Sequence, residues 1–226
     1  MNNKKIKIEK DGPYHVSGDI LLEKEFVTAD NNNDPLDWKK GEKYQTKGEY
    51  SLCRCGKSGN KPFCDGSHAK GFDGAETASK ESYANQAEKI SGPGMDLMDA
   101  PNLCSGGRFC HRHGGTWNLT QKSDNPEAKK IAIEEACNCP SGRLKAIDKK
   151  TGQPIEPNFL PAISVTEDVP AQVSGPLWVK GGIPIESSDG SIYEPRNRQT
   201  ICRCGKSRNK PFCDGSHIGS RFDDKK

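Results

Sequence analysis

Apolar and aromatic residues are scarce in this sequence, and long apolar runs are missing. Hydrophobic residues make up 31% and aromatic residues 7% of the 226 positions, so a lobe of this chain can bury little apolar surface. No stretch approaches the roughly 18 apolar residues of a membrane-spanning helix, and the first ten residues, MNNKKIKIEK, lack the apolar core of a signal peptide. We therefore expect no membrane partner and a cytoplasmic location, a reducing compartment in which cysteines bind metals more often than they form disulfides.

Signals for several common functions are also missing. The formal net charge of +3 is small, and no motif that reads DNA or RNA is present, so we expect no nucleic-acid partner. The chain has no glycine-rich phosphate loop, nucleophile elbow or P-loop lysine. We therefore expect a protein that is not an enzyme and has no catalytic residues. What the chain does have is 10 cysteines, together with 24 glycines and 15 prolines.

The most informative feature is a block of sixteen residues that occurs twice. CRCGKSGNKPFCDGSH at 53–68 and CRCGKSRNKPFCDGSH at 202–217 agree at fifteen positions. The shared spacing, C-x-C-x8-C-x3-H, supplies three thiolates and one imidazole, a complete ligand set for zinc or for an iron–sulfur cluster. Two thiolates separated by one residue are suited to bind the same iron atom of a [2Fe–2S] cluster. Zinc fingers, by contrast, commonly separate their cysteines by two to four residues. The candidate iron ligands are Cys53, Cys55, Cys64 and His68 in the first block and Cys202, Cys204, Cys213 and His217 in the second.

Both blocks resemble the CDGSH iron–sulfur domain, or NEET, family. The resemblance rests on the literal CDGSH at 64–68 and 213–217, and on a serine and a proline between the cysteines of each block. It implies one [2Fe–2S] cluster per block and a β-rich cap formed by two paired units. It covers only the two blocks and the strands before them.

The repeat extends upstream of the cysteines, because GPYHVSGDILLE at 12–23 matches GPLWVKGGIPIE at 175–186. Apolar residues at even spacing in both copies predict strands. His15, which aligns with Trp178, is expected to pack inside. One unit is too small to bury its own apolar face, so we expect a monomer whose two units pair about an internal pseudo-twofold axis; a tandem array of independent modules is the alternative.

These patterns predict a mostly β fold with a small α+β insert. The middle contains a predicted helix at 125–136 and short strands at 144–147 and 162–165. We place an N-terminal CDGSH unit at 1–75, a ferredoxin-like segment at 76–165 and a C-terminal CDGSH unit at 166–226.

The middle segment carries four further cysteines. Cys104 and Cys110 have the spacing C-x5-C, and Cys139 precedes Pro140. A cysteine–proline pair far downstream of a cysteine cluster resembles the single-cluster ferredoxins, with Gly107 at the position of their middle cysteine. The resemblance implies that Cys104, Cys110 and Cys139 hold a [3Fe–4S] cluster, with a [4Fe–4S] cluster as the alternative. Zinc in the same pocket, or structural thiols without metal, are further alternatives.

Several neighbours of these cysteines have two interpretations. Cys137 is an extra thiol that could supply a fourth ligand, as could His111 or His113, although we expect these histidines at the surface. Trp117 either shields the central site from water or packs in the core. Basic residues beside the CDGSH ligands either offset cluster charge and guide an acidic partner or are ordinary solvated charges; they are Arg54, Lys57, Lys61, Arg203, Lys206 and Lys210.

The histidine ligand points to redox chemistry that depends on protons. An oxidised [2Fe–2S] cluster with three thiolates and a neutral imidazole has a formal charge of about −1, against about −2 for four thiolates, which favours a higher reduction potential. A protonated imidazole cannot ligate through the same nitrogen, so acid should loosen the cluster. We therefore expect an electron-transfer protein with a redox partner. The alternatives are a module that stores clusters or delivers them to an apo-acceptor, a redox or pH sensor, and a zinc-stapled interaction protein.

Overall fold

The computed structural model describes residues 4–225, where short β-strands dominate. Among these residues only one α-helix is longer than six residues, which confirms the predicted mostly β class. The helices are α1 (Tyr83–Gln86), α2 (Thr116–Gln121), α3 (Pro126–Asn138) and α4 (Ser216–Gly219), with short 3₁₀ helices at Ser67–Ala69, Pro101–Leu103 and Phe109–Gly114. The strands are β1 (Lys5–Ile8), β2 (Tyr14–Ser17), β3 (Leu21–Ala29), β4 (Pro35–Lys43), β5 (Glu49–Leu52), β6 (Glu88–Ser91), β7 (Met95–Asp99), β8 (Leu144–Asp148), β9 (Pro154–Ile155), β10 (Ala162–Asp168), β11 (Val173–Lys180), β12 (Ile185–Glu186), β13 (Ile192–Tyr193) and β14 (Arg198–Ile201).

Two five-stranded sheets each combine strands from both ends of the chain. In the described part of the chain, one sheet has the order β13-β12-β1-β2-β5 and the other the order β4-β3-β10-β11-β14. Parallel pairs join the ends: Ile6 of β1 lies beside Ile185 of β12, and Ile163 of β10 lies beside Leu22 of β3. The two orders correspond strand for strand. Neither end of the chain therefore completes its sheet without strands from the other end.

The apolar faces of these two sheets share one core. Ile6, Leu22, Ile163 and Ile185 are all fully buried there, because alternate residues of a strand point to the same face. The same alternation turns His15 outward, so the expectation that it packs inside is wrong. His15 faces solvent between Glu9 and Ser51 (2.7 Å and 2.9 Å).

The middle of the chain has a core of its own. A four-stranded sheet, β6-β7-β8-β9, packs against α2 and α3 through residues such as Leu97, Leu119 and Ala132. Helix α3 begins where predicted, because the Asn125 side chain accepts the first free backbone N–H groups and Pro126 fits the first turn. Strand β10 begins at Ala162, before the boundary placed at residue 166, and pairs with β3 and β11.

Arg198 attaches the middle segment to the C-terminal half. Its fully buried guanidinium donates to the carbonyls of Ala136 and Cys139 (2.5 Å and 2.8 Å) at the end of α3 and pairs with Glu156 (2.8 Å). A cation is favourable there because the last carbonyls of a helix have no partners within the helix. Trp38 of β4 also contacts the end of α3, because its Nε1–H donates to the Asn138 carbonyl.

Within residues 4–225, no helix combines the length and the apolarity needed to cross a bilayer.

A buried charge cluster joins β3 to β11. Lys180 Nζ lies 3.1 Å from Glu23 Oε1 and 2.6 Å from Glu25 Oε1, and all three side chains are less than 5% exposed. Burial raises the pKa of Glu25 despite the cation beside it. Such a cluster stabilises the fold only while every member is present.

We predict that Lys180→Met lowers the free energy of unfolding by about 3–5 kcal/mol, because it leaves two buried carboxylates without their cation. Lys7→Met is the control, since Lys7 pairs at the surface with Glu186, the residue that aligns with Glu23. Its removal should change stability little. Urea unfolding followed by tryptophan fluorescence measures both variants. Equal, small changes would contradict a stabilising role of the buried cluster.

Candidate metal centres

The four candidate ligands of the N-terminal block lie in two pairs. The Sγ atoms of Cys53 and Cys55 are 3.7 Å apart, and Cys64 Sγ is 3.3 Å from Nδ1 of His68. The C-x-C spacing brings the first pair together. The short 3₁₀ turn after Cys64 brings the second pair together and turns Nδ1, rather than Nε2, towards the thiol. Nδ1 is therefore the ring atom available as a ligand.

The C-terminal block repeats this geometry. The Sγ atoms of Cys202 and Cys204 are 3.6 Å apart, and Cys213 Sγ is 3.4 Å from Nδ1 of His217. Among the described residues, no group of three or more His, Cys, Asp or Glu side chains converges on one ion position. Pairs of donors fit a two-iron cluster, in which each iron takes two protein ligands, better than a single tetrahedral ion with four.

Backbone hydrogen bonds hold the ligands in place and explain repeated letters that are not ligands. The Cys53 N–H donates to the Pro62 carbonyl (2.8 Å), and the Ser58 hydroxyl donates to the Phe63 carbonyl (2.7 Å). The second block has the same two bonds at the same distances. The serine and proline between the cysteines therefore fix the loop that carries the thiols.

Asp65, the residue after the third cysteine, ties the block together. Its carboxylate accepts the Ser67 N–H (2.9 Å) and the Gly59 N–H (2.7 Å). These hydrogen bonds from Ser67 and Gly59 hold the pKa of the exposed Asp65 well below its usual range. Asp214 accepts the equivalent pair of bonds in the second block. Each aspartate thus fixes the turn between the third cysteine and the histidine of its block.

Glycines next to the ligands let the two sites touch. Gly56 and Gly205 both have positive φ, 74° and 76°. A Cβ at Gly56 would clash with the Cys204 carbonyl, and one at Gly205 would clash with the Cys55 carbonyl. The two Cys-Gly segments therefore pack backbone to backbone, which only glycine permits. The signal for this contact in the sequence is the glycine that follows the second cysteine in both copies.

The two sites differ in their exposure to solvent. Cys64 and His68 are partly exposed, whereas Cys213 is 2% and His217 is 3% exposed. Burial lowers the pKa of His217 to about 4 and raises the pKa of Cys213 well above its usual value. The imidazole at the C-terminal site is therefore neutral at physiological pH, the form that can bind a metal.

Three cysteines of the middle segment surround one cavity. Cys104, Cys110 and Cys139 line it together with Ser141 and Arg143. Burial and the neighbouring Cys139 thiol raise the pKa of Cys110 to about 12. Clustered thiols of this kind favour the protonated form without metal and the thiolate form on a metal. The structure thus brings together the three cysteines assigned to a central cluster.

Cys137 is not among them. It lies two residues before Cys139, and side chains two apart near the end of a helix point in different directions. Its thiol faces the carbonyl of Ile155 (3.5 Å). His111 and His113 are exposed, as expected from the sequence.

The guanidinium of Arg143 lies beside the central cysteines and lines the same cavity. Arg143 donates to both oxygens of Asp99 (2.6 Å and 2.9 Å), which raises the pKa of Arg143 above its already high value. Trp117 also donates to Asp99 (2.9 Å), and its ring lies 5.3 Å from the guanidinium. Trp117 packs against the middle core. The permanent charge of Arg143 can offset negative charge in the cavity it lines.

The basic residues beside the CDGSH ligands separate into buried arginines and lysines that are exposed or half-buried. Arg54 and Arg203 are buried and bind backbone carbonyls of Gly74 (2.5 Å) and Gly175 (2.7 Å). They therefore cannot guide a partner, which corrects that interpretation for the arginines. Lys57 and Lys206 are exposed. Both interpretations, guidance of an acidic partner and ordinary solvated charge, therefore remain for these two lysines.

Comparison with known families agrees with this geometry. Residues 11–69 and 174–218 match the family described as iron-binding zinc finger, CDGSH type. Residues 90–149 match the family described as divergent 4Fe-4S mono-cluster. The resemblances drawn from the sequence are thereby confirmed for both parts. Searches of curated proteins and of solved structures gave no match.

We predict that Cys139→Ser lowers the iron content per chain by about 3 atoms, because its thiol lines the cavity to which the sequence analysis assigns a [3Fe–4S] cluster. Cys137→Ser is the matched control, and it should leave the iron content unchanged, since its thiol faces away from the cavity. Iron and acid-labile sulfide analysis of the purified variants measures both. Loss of iron from Cys137→Ser, with none from Cys139→Ser, would overturn this assignment of ligands.

Proposed function

We propose that this chain, in which two CDGSH-type regions enclose a divergent 4Fe-4S mono-cluster region, is an iron–sulfur protein with three centres that transfers electrons. The observation that carries the proposal is the order of contacts between the sites. Gly56 and Gly205 join the two CDGSH blocks, and the Ser105 carbonyl lies 4.0 Å from Cys213 Sγ, next to Cys104 of the central site. This order of contacts supports a path for electrons along the three sites.

The proposal gives each CDGSH block one [2Fe–2S] cluster, held by three thiolates and one Nδ1. The pairwise grouping of donors supports it, as do backbone N–H groups near the sulfurs, for example Gly66 N–H at 3.5 Å from Cys64 and Gly215 N–H at 3.4 Å from Cys213. Such donors stabilise thiolate charge and tune the potential of a bound cluster. When bound, the clusters supply one-electron redox chemistry.

The proposal also relates the two CDGSH units by an internal pseudo-twofold axis, within a monomer. The corresponding strand orders of the two sheets support this, and so do the matching registers. Leu52 pairs with Tyr14, and Ile201 pairs with Leu177, at equivalent places in the two copies. The exchanged strands let each unit bury its apolar face against the other.

For the central site we propose a [3Fe–4S] cluster held by Cys104, Cys110 and Cys139, with a [4Fe–4S] cluster as the alternative. Three cysteines around one cavity support the first, as does Gly107 at the place where a fourth cysteine would stand. Arg143 would offset cluster charge, and Phe109, which is 1% exposed, would exclude water.

The proposed partner is a redox protein in the cytoplasm, and no catalytic reaction is assigned to the chain. None of the ten cysteines forms a disulfide, in keeping with a reducing compartment. A second function, delivery of a cluster to an apo-acceptor, has one observation in its favour: Cys64 and His68 are partly exposed. A zinc-stapled interaction protein is disfavoured by the pairwise geometry of the donors.

We predict that the purified protein contains acid-labile sulfide and about 7 iron atoms per chain. Electron paramagnetic resonance should detect an oxidised [3Fe–4S] signal in the isolated protein and [2Fe–2S] signals only after reduction. About 8 iron atoms would instead indicate a central [4Fe–4S] cluster. Colourless protein with stoichiometric zinc would falsify the proposed function.

We predict that His68→Cys lowers the reduction potential of the N-terminal cluster by on the order of 100 mV, because a fourth thiolate adds negative charge. The same variant should lose its cluster more slowly in acid, since the cluster no longer depends on a neutral imidazole. His15→Cys, at an exposed histidine away from the ligands, is the control. Redox titration and the decay of visible absorbance at pH 5 measure both effects. No change in either would remove the role assigned to His68.

A further inference from the structure

The two CDGSH sites have the same ligands but different surroundings. Cys213 and His217 are 2% and 3% exposed, whereas Cys64 and His68 are partly exposed. The sixteen-residue blocks differ only at Gly59, where the second copy has arginine. The difference in exposure therefore comes from a segment outside the blocks.

That segment is residues 104–108, which we name the closing loop. Ser105 is 3% exposed, and its carbonyl lies 4.0 Å from Cys213 Sγ. Gly106 has a φ of 77°, and a Cβ there would lie 2.7 Å from Cδ1 of Ile218 and 3.5 Å from the Gly215 backbone. The loop thus lies directly on the Cys213–Ile218 turn, and the positive φ at its centre favours glycine there.

Both ends of the closing loop are fixed. Arg108 donates from Nη2 to the two oxygens of Asp168 in β10 (2.7 Å and 2.8 Å), whose carboxylate is buried. Cys104, at the other end, lines the central cavity. Just before the loop, the Asn209 side chain donates to the Asn102 carbonyl (2.8 Å), which ties this region to the C-terminal block itself.

The N-terminal site has no such cover in the described part of the chain. Ala69 stands where the second copy has Ile218, and it is exposed. The large apolar side chain that contacts Gly106 is therefore present in one copy only. Ala69 and Ile218 are the first residues after the two blocks. The two copies therefore differ at this position, and the covered copy has the larger side chain.

We propose that the closing loop makes the C-terminal CDGSH site a closed site that keeps its cluster, and leaves the N-terminal site as the one that exchanges its cluster with an acceptor protein. This rests on the proposed function, in that each site must bind a [2Fe–2S] cluster. The N-terminal site then delivers its cluster to an acceptor, and the C-terminal site retains its cluster within the protein.

The exchange balances without a redox step. Three iron–thiolate bonds and the bond to His68 break, and four bonds form to an apo-ferredoxin with four cysteines. The acceptor thiols release four protons; the three freed thiolates of the N-terminal site take up three of them, and the fourth goes to solvent. Iron and sulfide keep their oxidation states.

The test compares the two sites in holo-protein. Cys213→Ser and Cys64→Ser each remove one CDGSH cluster, so that the remaining one can be followed by visible circular dichroism. Two rates are measured: transfer to apo-ferredoxin, and iron release to a water-soluble chelator. We expect the N-terminal cluster to leave at least about tenfold faster by both measures.

Two variants open the loop in the background that keeps only the C-terminal CDGSH cluster. Ile218→Ala removes the contact with Gly106, and Arg108→Ala removes the anchor to Asp168; each should speed loss of the C-terminal cluster several-fold. Ala69→Ile, the reciprocal change at the uncovered site, should have no effect on the N-terminal rate in its own background. Equal rates at the two sites, or no acceleration in either loop variant, would overturn the closed site while leaving three bound clusters intact. Protein without clusters would instead overturn the proposed function and this inference together.

Discussion

Two parallel strand pairs, β1 with β12 and β3 with β10, hold the ends of the chain together, and the sites depend on them. Each pair completes a sheet whose apolar face is half of the shared core. Without them a CDGSH unit exposes its apolar face, since a unit of this size and composition cannot cover it alone. The same pairing presses Gly56 against Cys204 and Gly205 against Cys55. The assembly of the fold and the contact between the two metal sites are therefore one event.

Local sequence patterns predicted the parts that depend on local geometry. The C-x-C spacing alone brings Cys53 and Cys55 together, and Asn125-Pro126 alone marks the start of α3. Cys104, Cys110 and Cys139 could be grouped because their spacing resembles a known cluster motif. What these predictions share is that a few neighbouring residues, or one motif, determine the outcome.

Predictions that needed tertiary context were less successful. His15 lies between the buried Tyr14 and Val16, so alternation places it on the outer face of its strand. The expectation that it packs inside came from its alignment with Trp178, which is buried because Trp38 packs against it. Arg54 looks like a surface charge in the sequence, but its guanidinium is buried against the Gly74 carbonyl. Cys137 is as close to Cys139 in sequence as Cys53 is to Cys55, yet the end of α3 directs its thiol to Ile155. Equal spacing thus has different consequences in a loop and in a helix.

Near-identical blocks can acquire different environments only through residues outside them. Arg198 occupies the position of Glu49 in the first copy. Glu49 is exposed at the edge of its sheet, whereas Arg198 is buried and binds three carbonyls at the end of α3. One cation thus fixes the middle segment to the C-terminal copy, and the segment brings the loop that covers Cys213 and His217. The ligands and the residues that hold them are the same in both copies, so the difference between the sites lies in their cover rather than in their ligands.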